Sequence, residues 1–457
     1  MGSWCLYFCI TLGILIGLLY LTALIPNTAF KENLLTSAQY LEENEDEFYR
    51  LIEDDRRTEI DNYADVILFN IMYSIDGDDL WDELMMAPFY SDHVNEEYPM
   101  IRLLQERIAE DKLADTIYDR YWHGMMILMR PLICVFTITQ IRVVMLIVLL
   151  GLLALLSVQM WRKELHVPVL AVWVAAVLVG YPMISQCVEY QSVWLIMIGI
   201  SLAALKCYHK PRVVAGLMVI CGVCCAFFDF LTTETVAIVL PLAIVLCLCE
   251  KEGLLKNFRQ GLFWLIWWGA SWGIAYIGTL VVKWGLASIV IGQERFSFAL
   301  SVMLQRQGGN VPSINADCVV NGAESLQNFA IDTTTTLPQS LIALLVNIRL
   351  MLGLSEQVSL QGMLIGVLVV VGIMLCIIYL FRKTGEKSVL PTLLFLLGSI
   401  PVLRIMVLNS HSLQHCLFVY RALFATIVCM ITGFVYIIDW KFVKKILRIN
   451  KNNRNKR

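Results

Sequence analysis

The chain is cut into a succession of apolar blocks, each about 14 to 23 residues long, with polar connections between them, two of them long, and this restricts the fold more than any motif does. A helix of about 20 residues, rising 1.5 Å per residue, crosses a hydrocarbon layer of about 30 Å. Hydrophobic residues make up 58% of the chain and charged residues 16%, a balance that water alone does not accommodate without large exposed apolar patches. The blocks predict spans near Trp4 to Ile25, Val143 to Met160, Val167 to Gln186, Ser192 to Leu205, Val213 to Phe228, Val236 to Cys249, Leu262 to Trp284, Leu364 to Leu380, Leu390 to Leu408 and Leu417 to Ile438. The expected fold class is an all-α polytopic membrane protein of about ten transmembrane helices. The first block lacks a basic stretch before it and reads as a retained anchor, not a signal peptide.

Lys and Arg in short loops mark the cytoplasmic side. Beginning with a cytoplasmic N-terminus, the ten spans place Arg162 and Lys163, then Lys206, Lys210 and Arg212, then Lys251, Lys256 and Arg259, then Arg382, Lys383 and Lys387 inside, along with the basic tail from Lys441. The short loops near Glu189, Asp229 to Glu234 and Asn409 to His415 contain no Lys or Arg and fall outside. The chain therefore divides into a first span (1–25), an acidic external loop with membrane-parallel helices (26–141), spans two to seven (142–286), a second external loop (287–361), the last three spans (362–440) and the tail (441–457). The expected location is a cell membrane, crossed many times, with both termini cytoplasmic. Residues 26 to 123 hold 25 Asp and Glu against 8 Lys and Arg, so the external loop is strongly acidic although the whole chain has a net charge of −3. No nucleic-acid partner is expected. The apolar run Leu337 to Leu352 is expected to lie in or on the membrane without crossing it.

An ionisable group at membrane depth is costly unless it is used or paired, so chemistry is sought where polar residues gather at the outer rim. Asp61 and Asp65 are four residues apart; on a helix they share a face, ahead of an apolar stretch, Val66 to Ile71, that would hug the membrane. Two such carboxylates favour a raised pKa or a shared cation, and one of them could act as a general base; a solvated helix N-terminus is the plainer alternative. Arg120, Trp122, His123 and Arg130, in the run Asp119 to Pro131, suit a diphosphate or a sugar ring, although interfacial anchoring explains the aromatic residues equally well. Glu189 and Asp229 stand in tight external loops that can also be simple polar apices. His411 and His415 have the spacing of a metal pair but lack a nameable third ligand; with Asn409, Tyr420 and Arg421 they suit an anionic group such as a lipid phosphate, with snorkelling of Arg421 as the alternative. The fourteen Cys lie mostly inside spans; Cys187, Cys318 and Cys416 are the ones that could meet an oxidising side.

The run Asp119 to Pro131, the loop Phe228-Asp229-Phe230-Leu231-Thr232 and the pattern from Asn409 through His415 to Tyr420-Arg421 together resemble a group of Gram-positive membrane proteins whose layout is similar to that of GT-C type glycosyltransferases. The resemblance spans nearly the whole chain. It implies a first external loop supplying an acidic catalytic residue, here Asp61 or Asp65, and a polyprenyl-phosphate sugar donor whose phosphate Arg421 holds with His411 and His415. The implied partners are membrane lipid, the lipid-linked donor and a cell-envelope glycan acceptor; a divalent cation cofactor is left open. A transporter or lipid flippase, and a non-catalytic scaffold for envelope assembly, are the rival readings. Transporters place polar sites in broken helices near the midplane, whereas here Arg404 is the main charge inside a span and no repeat is found.

Overall fold

Apolar blocks with polar ends become helices because a helix satisfies its own backbone groups wherever water is excluded. The computed structural model describes residues 2–77, 79–92, 99–306, 337–355, 358–382, 388–443 and 445. The chain opens with α1 (Gly2–Ala23). The acidic segment follows as α2 (Lys31–Asn44), β1 (Phe48–Arg50), β2 (Glu59–Asp61), α3 (Asn62–Ser74), α4 (Leu80–Met86), β3 (Pro88–Phe89), α5 (Met100–Ala109), β4 (Thr116–Ile117) and α6 (Met126–Ile133). Then come α7 (Ile138–Arg162), α8 (His166–Leu178), α9 (Val188–Cys207), α10 (Pro211–Phe228), α11 (Thr235–Lys251), α12 (Phe258–Val290) and α13 (Glu294–Gln305). The remainder is α14 (Gln339–Met351), α15 (Leu360–Phe381), α16 (Leu390–Val407), α17 (Asn409–Gln414), α18 (Cys416–Val419) and α19 (Leu423–Ile437).

Among the described residues, eight helices are long and apolar enough to cross a membrane: Trp4–Ala23, α7, α9, α10, α12, α15, α16 and the continuous run Cys416–Ile437. This all-α architecture suits a multi-pass membrane protein, and the outward faces of α1, α7, α12 and α15 expose Leu6, Ile147, Ile266 and Leu368 as lipid would require. The other two expected spans are shorter. Val167 to Gln186 is interrupted at Gly180, whose φ of 62° ends α8 and starts a 3-10 turn, Tyr181–Gln186, with Pro182 near its start. The 13 residues of α8 reach about 20 Å, short of the hydrocarbon thickness. α11 has 17 residues and is buried on every side from Thr235 to Cys249, which makes it the central helix of the bundle. α14 is likewise too short to cross, as expected for that run, and buries Asn347 and Arg349 with its apolar residues.

Helix pairs close where small residues meet. α10 lies along α12, and a Cβ at Gly222 would collide with the Trp272 carbonyl; α16 lies along α19, where a Cβ at Gly398 would come within 2.8 Å of Cys429 Cβ.

The acidic segment packs against the bundle. Its two antiparallel strand pairs (Phe48↔Asp61, Tyr49↔Ile60, Arg50↔Glu59; Pro88↔Ile117, Phe89↔Thr116) frame α3, which is buried along nearly its full length. Val66, Phe69 and Ile71 share one apolar core with Leu15 and Leu19 of α1, Ile141 and Met145 of α7, and Val223 and Phe227 of α10. The stretch expected to hug the membrane is thus a protein core element: its flanks bury apolar side chains on all faces. Residues 307–336 with Cys318, Lys383, Lys387 and most of the basic tail lie outside the described residues; Cys187 and Cys416 are buried free thiols.

Overpacking a helix crossing typically costs about 1–3 kcal/mol. Gly222→Ala is therefore expected to lower the thermal midpoint of the detergent-purified protein, whereas Gly151→Ala, where an added methyl meets nothing within 4 Å, leaves it unchanged or slightly raised. Equal effects would contradict the α10–α12 contact.

Candidate functional site

The chain reverses at Asp61, which ends β2 and caps α3: its Oδ1 accepts from the Ala64 N–H at 3.0 Å, as an N-cap carboxylate does. One turn later Asp65 faces another helix start. Its Oδ1 accepts from the Val188 N–H at 2.8 Å, so a first-loop carboxylate caps α9, and the Asp61 N–H points at Cys187 Sγ, 3.2 Å away. Glu189 occupies the first turn of α9. Asp65 Oδ2 and Glu189 Oε1 are buried, with no hydrogen-bond partner among the described residues.

Arg142, at the start of α7, anchors this corner. Its Nη1 donates to both oxygens of Glu45 (2.9 and 3.0 Å) and its Nη2 to Asn62 Oδ1 (2.6 Å); Asn62 Nδ2 in turn donates to Glu45 (3.0 Å) and to the Asp46 carbonyl (2.7 Å). All three side chains are buried, so the network ties the loop to the bundle beside Asp61 and Asp65.

The facing wall comes from the C-terminal third of the chain. Arg421 is 1% exposed; it donates to the Leu417 and Arg57 carbonyls (2.7 and 3.1 Å), lies over the rings of Tyr190 and Tyr420, and leaves its Nε without a partner. No carboxylate pairs with it among the described residues. Tyr190 lies within electrostatic range of Asp61, Glu189 and Arg421, and so joins the two walls. From Tyr190 a row of rings continues through Phe418 (5.1 Å) and His415 (5.3 Å) to His411 (4.7 Å). His411 Nε2 bonds the Leu231 carbonyl at 2.9 Å, and the Arg404 guanidinium binds the same carbonyl while pairing with Glu234 at 2.9 Å. Leu231 has φ of 66°, a left-handed conformation costing about 1–3 kcal/mol for such a residue; Arg404 and His411 hold the loop that presents Asp229 in that strained shape. Asp229 accepts from the Thr232 N–H at 3.1 Å, and its charge is felt at Glu189.

The remaining sequence candidates divide. His123, also left-handed at φ 53°, bonds the Tyr118 carbonyl (2.8 Å) and meets Phe230 of the Asp229 loop at 5.2 Å, which places it at the edge of the site. Arg120 lies over Tyr118 and Phe298. Trp122 is buried against Phe227 and donates to the Thr279 carbonyl. Arg130 is held elsewhere, clamped by the carbonyls of Ile25, Met72 and Ile75 and by Asn27 Oδ1, where it ties the end of α1 to α3. Tyr420 donates to the Val179 carbonyl, and Asn409 Oδ1 is buried without a partner among the described residues.

Burial dominates the electrostatics. It pushes Asp61 up to about 7, with Glu59 and Glu47 adding to the rise, and Asp65 up to about 8, with Arg142 opposing and Asp61 adding. Burial and Glu234 push Asp229 up to about 7. Burial also drives His123 and His415 down to about 3 and His411 well below its usual range, so these rings are neutral and contribute hydrogen bonds, not charge. Positive charge at the site comes from Arg421 and Arg404, and from Arg306, which lies over Tyr121 with one Nη unpartnered. Among the described residues no three His, Cys, Asp or Glu side chains are grouped to hold a metal. Sequence reasoning missed Glu45, Asn62, Arg142 and Arg306; Arg142 lies at the mouth of a span, where flanking cations are routine. The chain matches no family model, no curated protein and no solved structure.

A carboxyl group whose folded pKa is raised binds protons in the native state that the unfolded chain has lost, so stability falls as pH rises between the two values. For Asp61 and Asp65 that window runs from about 4 to about 8. The thermal midpoint is expected to drop across it, and Asp65→Asn should flatten the slope; a wild-type midpoint that rises over this range would contradict the burial of these groups. Arg142→Met, which leaves Glu45 buried and unpaired, is expected to cost about 3–5 kcal/mol, with partial recovery in Arg142→Met/Glu45→Gln.

Proposed function

We propose that the protein is a membrane glycosyltransferase of GT-C-like layout, transferring a sugar from a polyprenyl-phosphate donor to a cell-envelope acceptor at the extracytoplasmic rim. The observation that supports it most is Arg421: a buried guanidinium with no counter-ion among the described residues, joined through Tyr190 to protonatable carboxylates. Such an arrangement suits a ligand that brings its own negative charge and a hydroxyl to deprotonate. In this reading Asp61 or Asp65 takes the proton of the acceptor hydroxyl as its oxygen attacks the anomeric carbon. The bond from that carbon to the phosphate oxygen breaks, and the lipid phosphate leaves with its added charge offset by Arg421. Tyr190 and Phe418, and separately Tyr121 against Phe230 of the Asp229 loop, offer aromatic faces for a sugar or a prenyl chain.

The base must be ionised to act, so the rate should climb through an acid limb near pH 7 to 8. Asp→Asn at the residue that acts as base is expected to lower transfer by about 10²–10⁴-fold, and Arg421→Gln by about 10²–10³-fold, measured with membranes and a lipid-linked sugar. Surface glycans unchanged in Asp61→Asn, Asp65→Asn and Arg421→Gln cells at normal protein abundance would overturn the proposal. One observation favours a second reading: Asp61, Asp65, Glu189 and Asp229 are electrostatically linked, and burial pushes the three outside the spans up to about 7 or 8, as a proton-coupled transporter would need. Solute uptake driven by a proton gradient, with normal glycans in the Asp variants, would identify it.

A further inference from the structure

The opposite end of α9 and α10 carries a second feature, unrelated to the chemistry above. α9 runs about 30 Å from Glu189 to the turn at Lys210, and α10 returns toward Asp229, so a full helix length separates this end from the candidate site. An open groove of about 730 Å³ is lined there by Lys210, Pro211, Arg212 and Val213 from the start of α10 and by Phe263 and Trp267 from α12.

Three observations define what the groove would accept. Lys210 and Arg212 are exposed and form no ion pair among the described residues, and no acidic residue lies in the first turn of α10. α10 has no side-chain cap and begins at Pro211, so its dipole adds positive potential at the same point. The opposite wall is apolar: Phe263 and Trp267, four residues apart on α12, stack at 6.2 Å, and Phe263 is exposed to the surroundings of the bundle. A cationic mouth continuous with an aromatic wall along a membrane-length helix matches an amphiphile with an anionic head, and its size lies within the range of ligand sites and exceeds that of a lone phosphate.

We propose that this groove binds an anionic glycerophospholipid, with the phosphate at Lys210, Arg212 and the α10 N-terminus and an acyl chain against Phe263 and Trp267. The test uses full-length protein in nanodiscs of equal parts phosphatidylglycerol and phosphatidylcholine, with native mass spectrometry counting the lipids retained on release. Wild type should retain phosphatidylglycerol in preference by roughly tenfold or more, two interfacial cations and a helix end acting together. Lys210→Gln/Arg212→Gln should erase the preference, and Trp267→Ala should weaken retention of both lipids. Lys256→Gln/Arg259→Gln, which removes equal charge from the neighbouring turn, should leave the preference intact. Unchanged preference in Lys210→Gln/Arg212→Gln, equal loss in Lys256→Gln/Arg259→Gln, or displacement of the lipid by millimolar inorganic phosphate would each overturn the proposal. The first two would place the site elsewhere, and the third would make it a simple anion site.

Discussion

Arg142 is the residue on which the arrangement of the two halves depends. A guanidinium at the mouth of a span, buried and bonded to both oxygens of Glu45 and to Asn62, holds the first-loop segment in one position against the bundle. A surface pair would contribute little, but a buried one that loses a partner leaves an uncompensated charge, so the loop cannot drift from α7 at low cost. Asp65 adds a second tie by capping α9 with a carboxylate from outside that helix. Through these two contacts an acid-rich segment becomes part of the core instead of a solvated appendage.

The consequence is electrostatic. Carboxylates that would ionise freely in water are packed around a helix start with few donors, and burial raises them into the neutral range. The opposing arginines are not matched to them one for one: Arg404 has Glu234, while Arg421 has carbonyls and aromatic faces. A site with an unmatched buried cation, Arg421, beside protonatable acids is suited to a charged ligand. The strained Leu231 and His123 backbones lie on the same edge, consistent with a surface shaped for binding at some expense to stability.

Most residues of the candidate corner can be picked from the sequence, for a definite reason. Charge at the rim of an apolar block is unusual enough to stand out, so Asp61, Asp65, Glu189, Asp229, His411, His415 and Arg421 can be picked from the sequence, and the fold brings them to one corner. Arg130 stood out for the same reason, yet it clamps backbone carbonyls; exposure to lipid or ligand and service to the protein's own backbone look alike in sequence. Nothing in the sequence sets Arg142 and Arg306 apart, because a cation beside an apolar run ordinarily meets headgroups or water.

The sequence by itself determined that the chain is a set of apolar helices with one acid-rich segment between the first and the rest, because block length and periodicity are local properties of the chain. It also placed the breaks, apart from the one at Gly180, where the apolar pattern runs on although the backbone turns. Only the tertiary structure decided that α3 is core and α11 central, that Asp65 caps a helix more than a hundred residues away, and which arginine keeps an unmatched charge. Those outcomes depend on which side chains meet across the bundle, and hydrogen bonds and desolvation act between neighbours in space irrespective of their distance along the chain.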